Sequence, residues 1–168
     1  EKNWMPILDM PFHFVRWCNP LEIIKVNPNS RSKQTVAKGE INIIDSEVVI
    51  KETIPLDLPL GLRGSSQVIP FGDKGDRICV THETHFFWHQ NKKKDAHYYH
   101  RFVIWDKDWK VKKVSEQFKF MDAMIEFACG LIIKDDNFII SYGYQDNAAY
   151  ALKMPIKILD KLKWDIDE

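Results

Sequence analysis

Apolar residues recur along this chain in short runs with the two-residue alternation of strands rather than the 3.6-residue period of helices. Phe12 to Trp17, Glu47 to Ile50, Arg77 to Thr81, Tyr98 to Trp105, Leu131 to Ile133 and Phe138 to Tyr142 are rich in Val, Ile, Phe, Tyr and Trp, and clusters of Gly, Pro, Asn and Asp separate them. The pattern predicts an all-β chain. Asn27-Pro28-Asn29, Gly72-Asp73-Lys74-Gly75-Asp76 and Lys134-Asp135-Asp136-Asn137 read as turns, because these residue types accept positive φ or bond to their own backbone. Only the end departs from this. Pro155 followed by Ile156, Ile158, Leu159 and Leu162 predicts a short amphipathic helix over 155–164 with proline in its first turn.

Three stretches share one arrangement: a polar opening, an apolar strand, a turn, then aromatic or apolar strands. They span approximately 1–50, 63–120 and 126–154, and open on Glu1-Lys2-Asn3-Trp4-Met5-Pro6, Arg63-Gly64-Ser65-Ser66-Gln67 and Glu126-Phe127-Ala128-Cys129-Gly130. Starts roughly sixty residues apart suit four-stranded propeller blades that carry insertions. From pattern alone a β-sandwich explains the strands equally well. In the propeller reading, Asn27 to Glu40 and Ile54 to Leu62 are decorating loops and 1–168 is a single domain or a fragment of one.

Composition narrows the classes of function. With 168 residues, 45% hydrophobic and 29% charged, the chain has the make-up of one globular domain. Twenty-four basic residues balance twenty-four acidic ones, which removes the whole-chain charge argument for nucleic acid or an anionic membrane. No apolar run approaches the roughly 20 residues that span a bilayer, so a cytoplasmic protein is expected. Three widely spaced cysteines, Cys18, Cys79 and Cys129, cannot pair off and are expected as reduced, buried thiols. The chain opens on Glu1 with no signal-like segment and reads as a piece of something longer.

Particular residues carry a resemblance. Lys2-Asn3-Trp4-Met5-Pro6, then Arg63-Gly64-Ser65-Ser66-Gln67-Val68-Ile69-Pro70 with His82, then Tyr98-Tyr99-His100-Arg101-Phe102 with Trp105-Asp106, and Glu126-Phe127-Ala128-Cys129-Gly130-Leu131 with Ser141-Tyr142-Gly143-Tyr144-Gln145-Asp146, resemble the second half of a five-bladed β-propeller. The family is related to glycoside hydrolase family 130, which holds mannoside phosphorylases and mannosidases. A closer likeness is to propeller domains of this type in chains that also carry glycosyltransferase modules. It extends over nearly the whole chain, is most specific over Ile125 to Ala151, and is thin over Asn27 to Leu60. The resemblance implies about three blades of five, with the earlier blades before Glu1.

In such propellers the first polar residues of the inner strands point toward a central pocket. The resemblance therefore implies that Lys2, Asn3, Arg63, Ser65, His82, Tyr99, Glu126, Tyr142 and Asp146 contact a mannose-type sugar. Phosphorolysis would add inorganic phosphate as co-substrate, which guanidinium and ammonium groups hold by fork geometry and point charge. Ordinary structural roles compete: a solvated terminus for Lys2, a carboxylate partner for Arg63, a strand-end cap for His82, a turn cap for Asp146. The family's acid lies in a Glu-Asp-Pro-Arg-like string that this chain lacks, so no catalytic residue is assigned. Two functions stay open: a carbohydrate-active module, or a scaffold propeller that binds without turnover. The expected partners are a glycan and the remaining blades or a glycosyltransferase domain, with no nucleic acid or membrane.

Five of six histidines fall between His82 and His100, which raises a metal reading. His82-Glu83-Thr84-His85 is one residue short of the helical zinc motif, and on a strand its two imidazoles point to opposite faces. No metal and no organic cofactor are expected. Trp4, Tyr99 and Tyr142 lie beside matched pocket positions and offer rings to a sugar, Trp105 and Trp109 anchor an outer hairpin, and Lys92-Lys93-Lys94 form a basic hairpin tip near Trp88.

Overall fold

A computed structural model describes residues 3–53, 56–58, 62–90 and 94–167. Among these, thirteen strands form three antiparallel sheets, none of them closed. The first is a meander of β1 (Met5–Pro6), β2 (His13–Cys18), β3 (Leu21–Val36) and β4 (Gly39–Lys51). In the second, the short inner strands β5 (Arg63–Gly64) and β6 (Ile69–Phe71) both pair with β7 (Asp76–Trp88), followed by β8 (Lys94–Trp105) and β9 (Val111–Ser115). The third holds β10 (Glu126–Lys134), β11 (Asn137–Tyr144) and β12 (Ala148–Pro155), after which β13 (Trp164–Asp167) returns to the outer edge of the second sheet. The architecture is all-β and propeller-like.

The inner segments of the sheets touch side by side. Val68 N donates to Pro6 O at 2.9 Å and Leu8 N to Val68 O at 3.0 Å, a parallel contact between the first and second sheets. Gln67 joins the second to the third: its Nε2 donates to Leu131 O at 2.6 Å and its Oε1 accepts from Leu131 N at 3.2 Å. Between the first two sheets lies a core of Met5, Val15, Ile23, Cys79, Val103 and Trp105. A second core, with Ile78, Val80, Phe102, Leu131, Phe138 and Ile140, fills the space between the second and third. Successive residues of β7 and β8 feed opposite cores, which is why both strands are apolar on both faces.

Glycine at position 64 lets the first two sheets approach. A β-carbon there would meet Asn3 O at 2.3 Å and Met5 Cγ at 2.5 Å. No side chain fits without moving backbone.

Several expectations are corrected. Asn27 to Glu40 is not a loop but the distal part of a long hairpin, with register maintained from Arg31 opposite Ile44 to Val36 opposite Gly39. Asn27-Pro28-Asn29 is an irregularity inside β3, where pairing shifts between Asn27 and Arg31; proline without an N–H is tolerated at such a break. Of Ile54 to Leu62, only 56–58 and Leu62 are described, and Leu56 N bonds to Asn19 Oδ1 at 2.8 Å. The terminal helix is a single 3-10 turn, Ile156–Asp160, after which the chain extends into β13. Cys18 and Cys79 are buried, but Cys129 is exposed because it is the extra residue in a bulge between Ala128 and Gly130. Turns at 72–75 and 135–136 form as read, with Asp135 at φ 50° and Asp136 at φ 57°. No helix among the described residues is long and apolar enough to cross a membrane.

Candidate functional site

The openings of the three sheets meet around His82. Antiparallel register places Arg63 of β5 directly opposite His82 of β7, so their side chains share a face. Ser65 Oγ lies 2.8 Å from His82 Nδ1. The imidazole stacks on Tyr98 with centroids 5.4 Å apart and planes 9° from parallel, and meets Phe127 of β10 edge-on at 5.1 Å. Asn3, held at φ 65°, brings its carbonyl against Gly64. Asn3, Arg63, Ser65 and His82 are thus brought together, while Lys2 lies outside the described residues.

Burial sets the charge of this group. His82 is 3% exposed, and its pKa is lowered to about 4, first by burial and then by the nearby Arg63 guanidinium. His100, its cross-strand neighbour, is lowered to about 3 by burial and then by His82. Its Nε2 accepts from Ala128 N at 3.3 Å, and its Nδ1 has no hydrogen-bond partner among the described residues. At neutral pH both rings are therefore uncharged. Arg63 is exposed and forms no ion pair among the described residues. What results is one uncompensated guanidinium beside a neutral imidazole, a hydroxyl and two aromatic rings.

The other expected contacts are placed differently. Tyr99 points to the opposite face of β8, where it neighbours His85 at 4.9 Å and carries Lys119 Nζ 5.0 Å above its ring; Tyr98 takes the place beside His82. Tyr142 is buried against Phe120 at 4.6 Å, and burial raises its hydroxyl pKa. Asp146 is exposed at φ 52° in the turn between β11 and β12, and no hydrogen bond or ion pair joins it to Arg63 or His82 among the described residues. Glu126 is fully buried, and its carboxylate accepts from Phe120 N at 2.6 Å, Met121 N at 2.9 Å and Ala123 N at 2.8 Å. It ties down the segment before β10 through these three backbone amides.

Glu126→Gln accordingly has a structural signature. The new amide turns an NH2 group toward backbone donors, and at least one buried N–H loses its acceptor at a cost of about 2–3 kcal/mol. Thermal unfolding should show Tm down by roughly 5–10 °C, with sugar affinity of the folded protein unchanged. An unaltered Tm with abolished sugar binding would place Glu126 at the ligand after all.

Elsewhere on the chain the chemistry is of another kind. His85 faces away from His82 and approaches Glu83 Oε2 at 3.3 Å. Among the described residues no group of three His, Cys, Asp or Glu side chains is arranged to hold a metal ion. Concavities of about 440 Å³ at Phe12, Lys25 and Glu47, and of about 460 Å³ at Phe71, Leu159 and Trp164, lie apart from Arg63 and His82. The convergence of polar groups, not cavity size, marks the candidate site.

Fold and site together define an all-β, propeller-like chain that presents the exposed Arg63 guanidinium where its sheets begin. No family model and no curated protein matches the chain. Among solved structures it is similar to a mannose phosphorylase from Leishmania mexicana, determined in complex with phosphate ion, at 10% identity and a TM-score of 0.47, with 98% of this chain and 70% of that chain covered.

Proposed function

We propose that the chain is a carbohydrate-binding, carbohydrate-active propeller module of the kind its motifs resemble, recognising a mannose-type glycan in association with a glycosyltransferase. The observation that supports this most is the exposed guanidinium of Arg63, without an ion pair among the described residues, in register with the neutral His82–Ser65 pair. A guanidinium holds a phosphate or a vicinal diol through two parallel N–H donors. His82, being neutral, contributes hydrogen bonding without charge, and the Tyr98 and Phe127 rings offer apolar faces to the C–H side of a sugar. Inorganic phosphate fits the same cation as a co-substrate.

Turnover is a separate matter. Glycoside cleavage needs a carboxylic acid at the leaving oxygen, and Glu126 is committed to three backbone amides. That commitment favours recognition without catalysis by this chain, the acid coming from the remaining blades of a longer propeller where cleavage occurs. Calorimetric titration with mannose and with inorganic phosphate tests the reading. Arg63→Ala is expected to weaken phosphate binding by at least about tenfold, the loss of a charge-assisted bidentate contact, with Tm retained because the side chain is exposed. Identical titrations of wild type and variant would remove Arg63 from the site.

A further inference from the structure

The hairpin of β7 and β8 continues well past the site. Arg63 of β5 pairs with His82, yet β7 runs on to Trp88 and β8 begins at Lys94 opposite it. Strand alternation puts Thr84, Phe86 and Trp88 on the face that carries His82, with Ala96 and Lys94 as the cross-strand partners of the two aromatics. At the rise of an extended strand, Phe86 stands roughly 13 Å and Trp88 roughly 20 Å from His82. They are 61% and 66% exposed, more than any other large apolar side chain described. Lys94 Nζ sits 3.7 Å from the Phe86 centroid and 6.0 Å from that of Trp88, so these rings present their electron-rich faces to an electropositive neighbour. The C–H face of a pyranose is such a neighbour, and the Lys94 ammonium is a donor for sugar hydroxyls.

The opposite face of the hairpin carries polar and titratable groups, with His85 and His89 close to half exposed. Phe87 stacks on His97 at 4.9 Å, and His85 and His89 lie against the carboxylates of Glu83 and Asp95. The aromatic surface is therefore a one-sided ladder in line with the site, whereas a tip that enters a membrane needs apolar groups around it and no carboxylate beside it.

We propose that Phe86 and Trp88, with Lys94, form a distal stacking platform for an extended glycan whose terminal unit lies at Arg63 and His82. This rests on the sugar-binding reading of that site and deepens it: the ligand is an oligosaccharide instead of a free monosaccharide. Calorimetry would use mannose and a panel of linear mannotetraoses linked α-1,2, α-1,6, β-1,2 or β-1,4. At least one tetraose is expected to bind the wild-type chain roughly tenfold tighter than mannose. The double variant Phe86→Ala, Trp88→Ala should erase that gain while leaving mannose affinity and Tm as they were, and Trp88→Phe should retain most of it. Tetraoses that bind no tighter than mannose, or a preference that survives the double variant, would overturn the platform while the Arg63–His82 reading stands. Failure of mannose and every tetraose to bind would bring down the reading of the site and the platform with it. Loss of pelleting with phosphatidylserine vesicles in the double variant, with no glycan preference to lose, would overturn it by assigning the surface to a membrane.

Discussion

Between pH 6.5 and about 3, folding stability is expected to fall steeply with acid because of two buried imidazoles. His82 titrates at about 4 and His100 at about 3 in the folded chain, whereas both take up protons near 6.5 once unfolded. In that window the unfolded state binds more protons, so stability rises with pH, and above 6.5 these groups add no further dependence. Each unit of displacement corresponds to about 1.4 kcal/mol, which sets a ceiling on the order of 3 kcal/mol for His82 and somewhat more for His100. The physical cause is burial first, and then the neighbouring Arg63 guanidinium for His82 and the neighbouring His82 for His100. Carboxylates add their own acid dependence below pH 5, so the test is comparative. His100→Gln keeps an acceptor for Ala128 N but does not titrate. Urea unfolding at a series of pH values should give a shallower acid limb for this variant, and an unchanged limb would mean that His100 is not held neutral.

Arg101→Ala is expected to cost about 3–5 kcal/mol, the range found when one partner of a buried ion pair is removed. Arg101 lies inside the second sheet with its side chain 5% exposed; it donates to the Glu83 carboxylate and to Asp165, and its Nη1 bonds to Ser115 O at 2.6 Å. The Glu83 side chain is 1% exposed, so removing the guanidinium leaves its charge, among the described residues, with the half-exposed His85 as its ion-pair partner. Asp165 stands on β13, and the same substitution frees the C-terminal strand, to be seen as faster proteolysis after Lys161 and Lys163. Lysine at 101 should recover only part of the loss, since an ammonium cannot reproduce the planar fork. A variant within about 1 kcal/mol of wild type by denaturant unfolding would contradict the role given to this network.

These interactions mark the boundary of what alternation along the chain discloses. The core strands were legible because β7 and β8 alternate between two cores, and the Gly72 and Asp135 turns because their residue types accept positive φ. Asn27-Pro28-Asn29 has turn composition, yet the cross-strand pairs from Arg31 to Val36 extend the hairpin, a tertiary decision that local residue preference does not contain. Ile156, Ile158, Leu159 and Leu162 suit a helix, but the segment closes an edge on which Asp165 meets Arg101 from sixty-four positions away. At the site, Arg63, Ser65 and His82 stood out by chemistry and by likeness. Tyr98 in place of Tyr99 was decidable from parity alone, since His82 pairs with His100 and side chains two residues apart share a face. Glu126 was not decidable: nothing in its residue type says that its acceptors will be filled by backbone amides three to six residues upstream.

The central claim, that the sheet openings form one sugar- and oxyanion-binding face, is tested most directly by mapping NMR chemical shifts while the chain is titrated with mannose and with inorganic phosphate at neutral pH. The account predicts saturable shifts concentrated at Asn3, Arg63, Gly64, Ser65, His82, Tyr98 and Phe127. Shifts centred instead on Tyr142 and Asp146, or on the concavity beside Phe12 and Glu47, would contradict it, as would spectra that neither ligand perturbs.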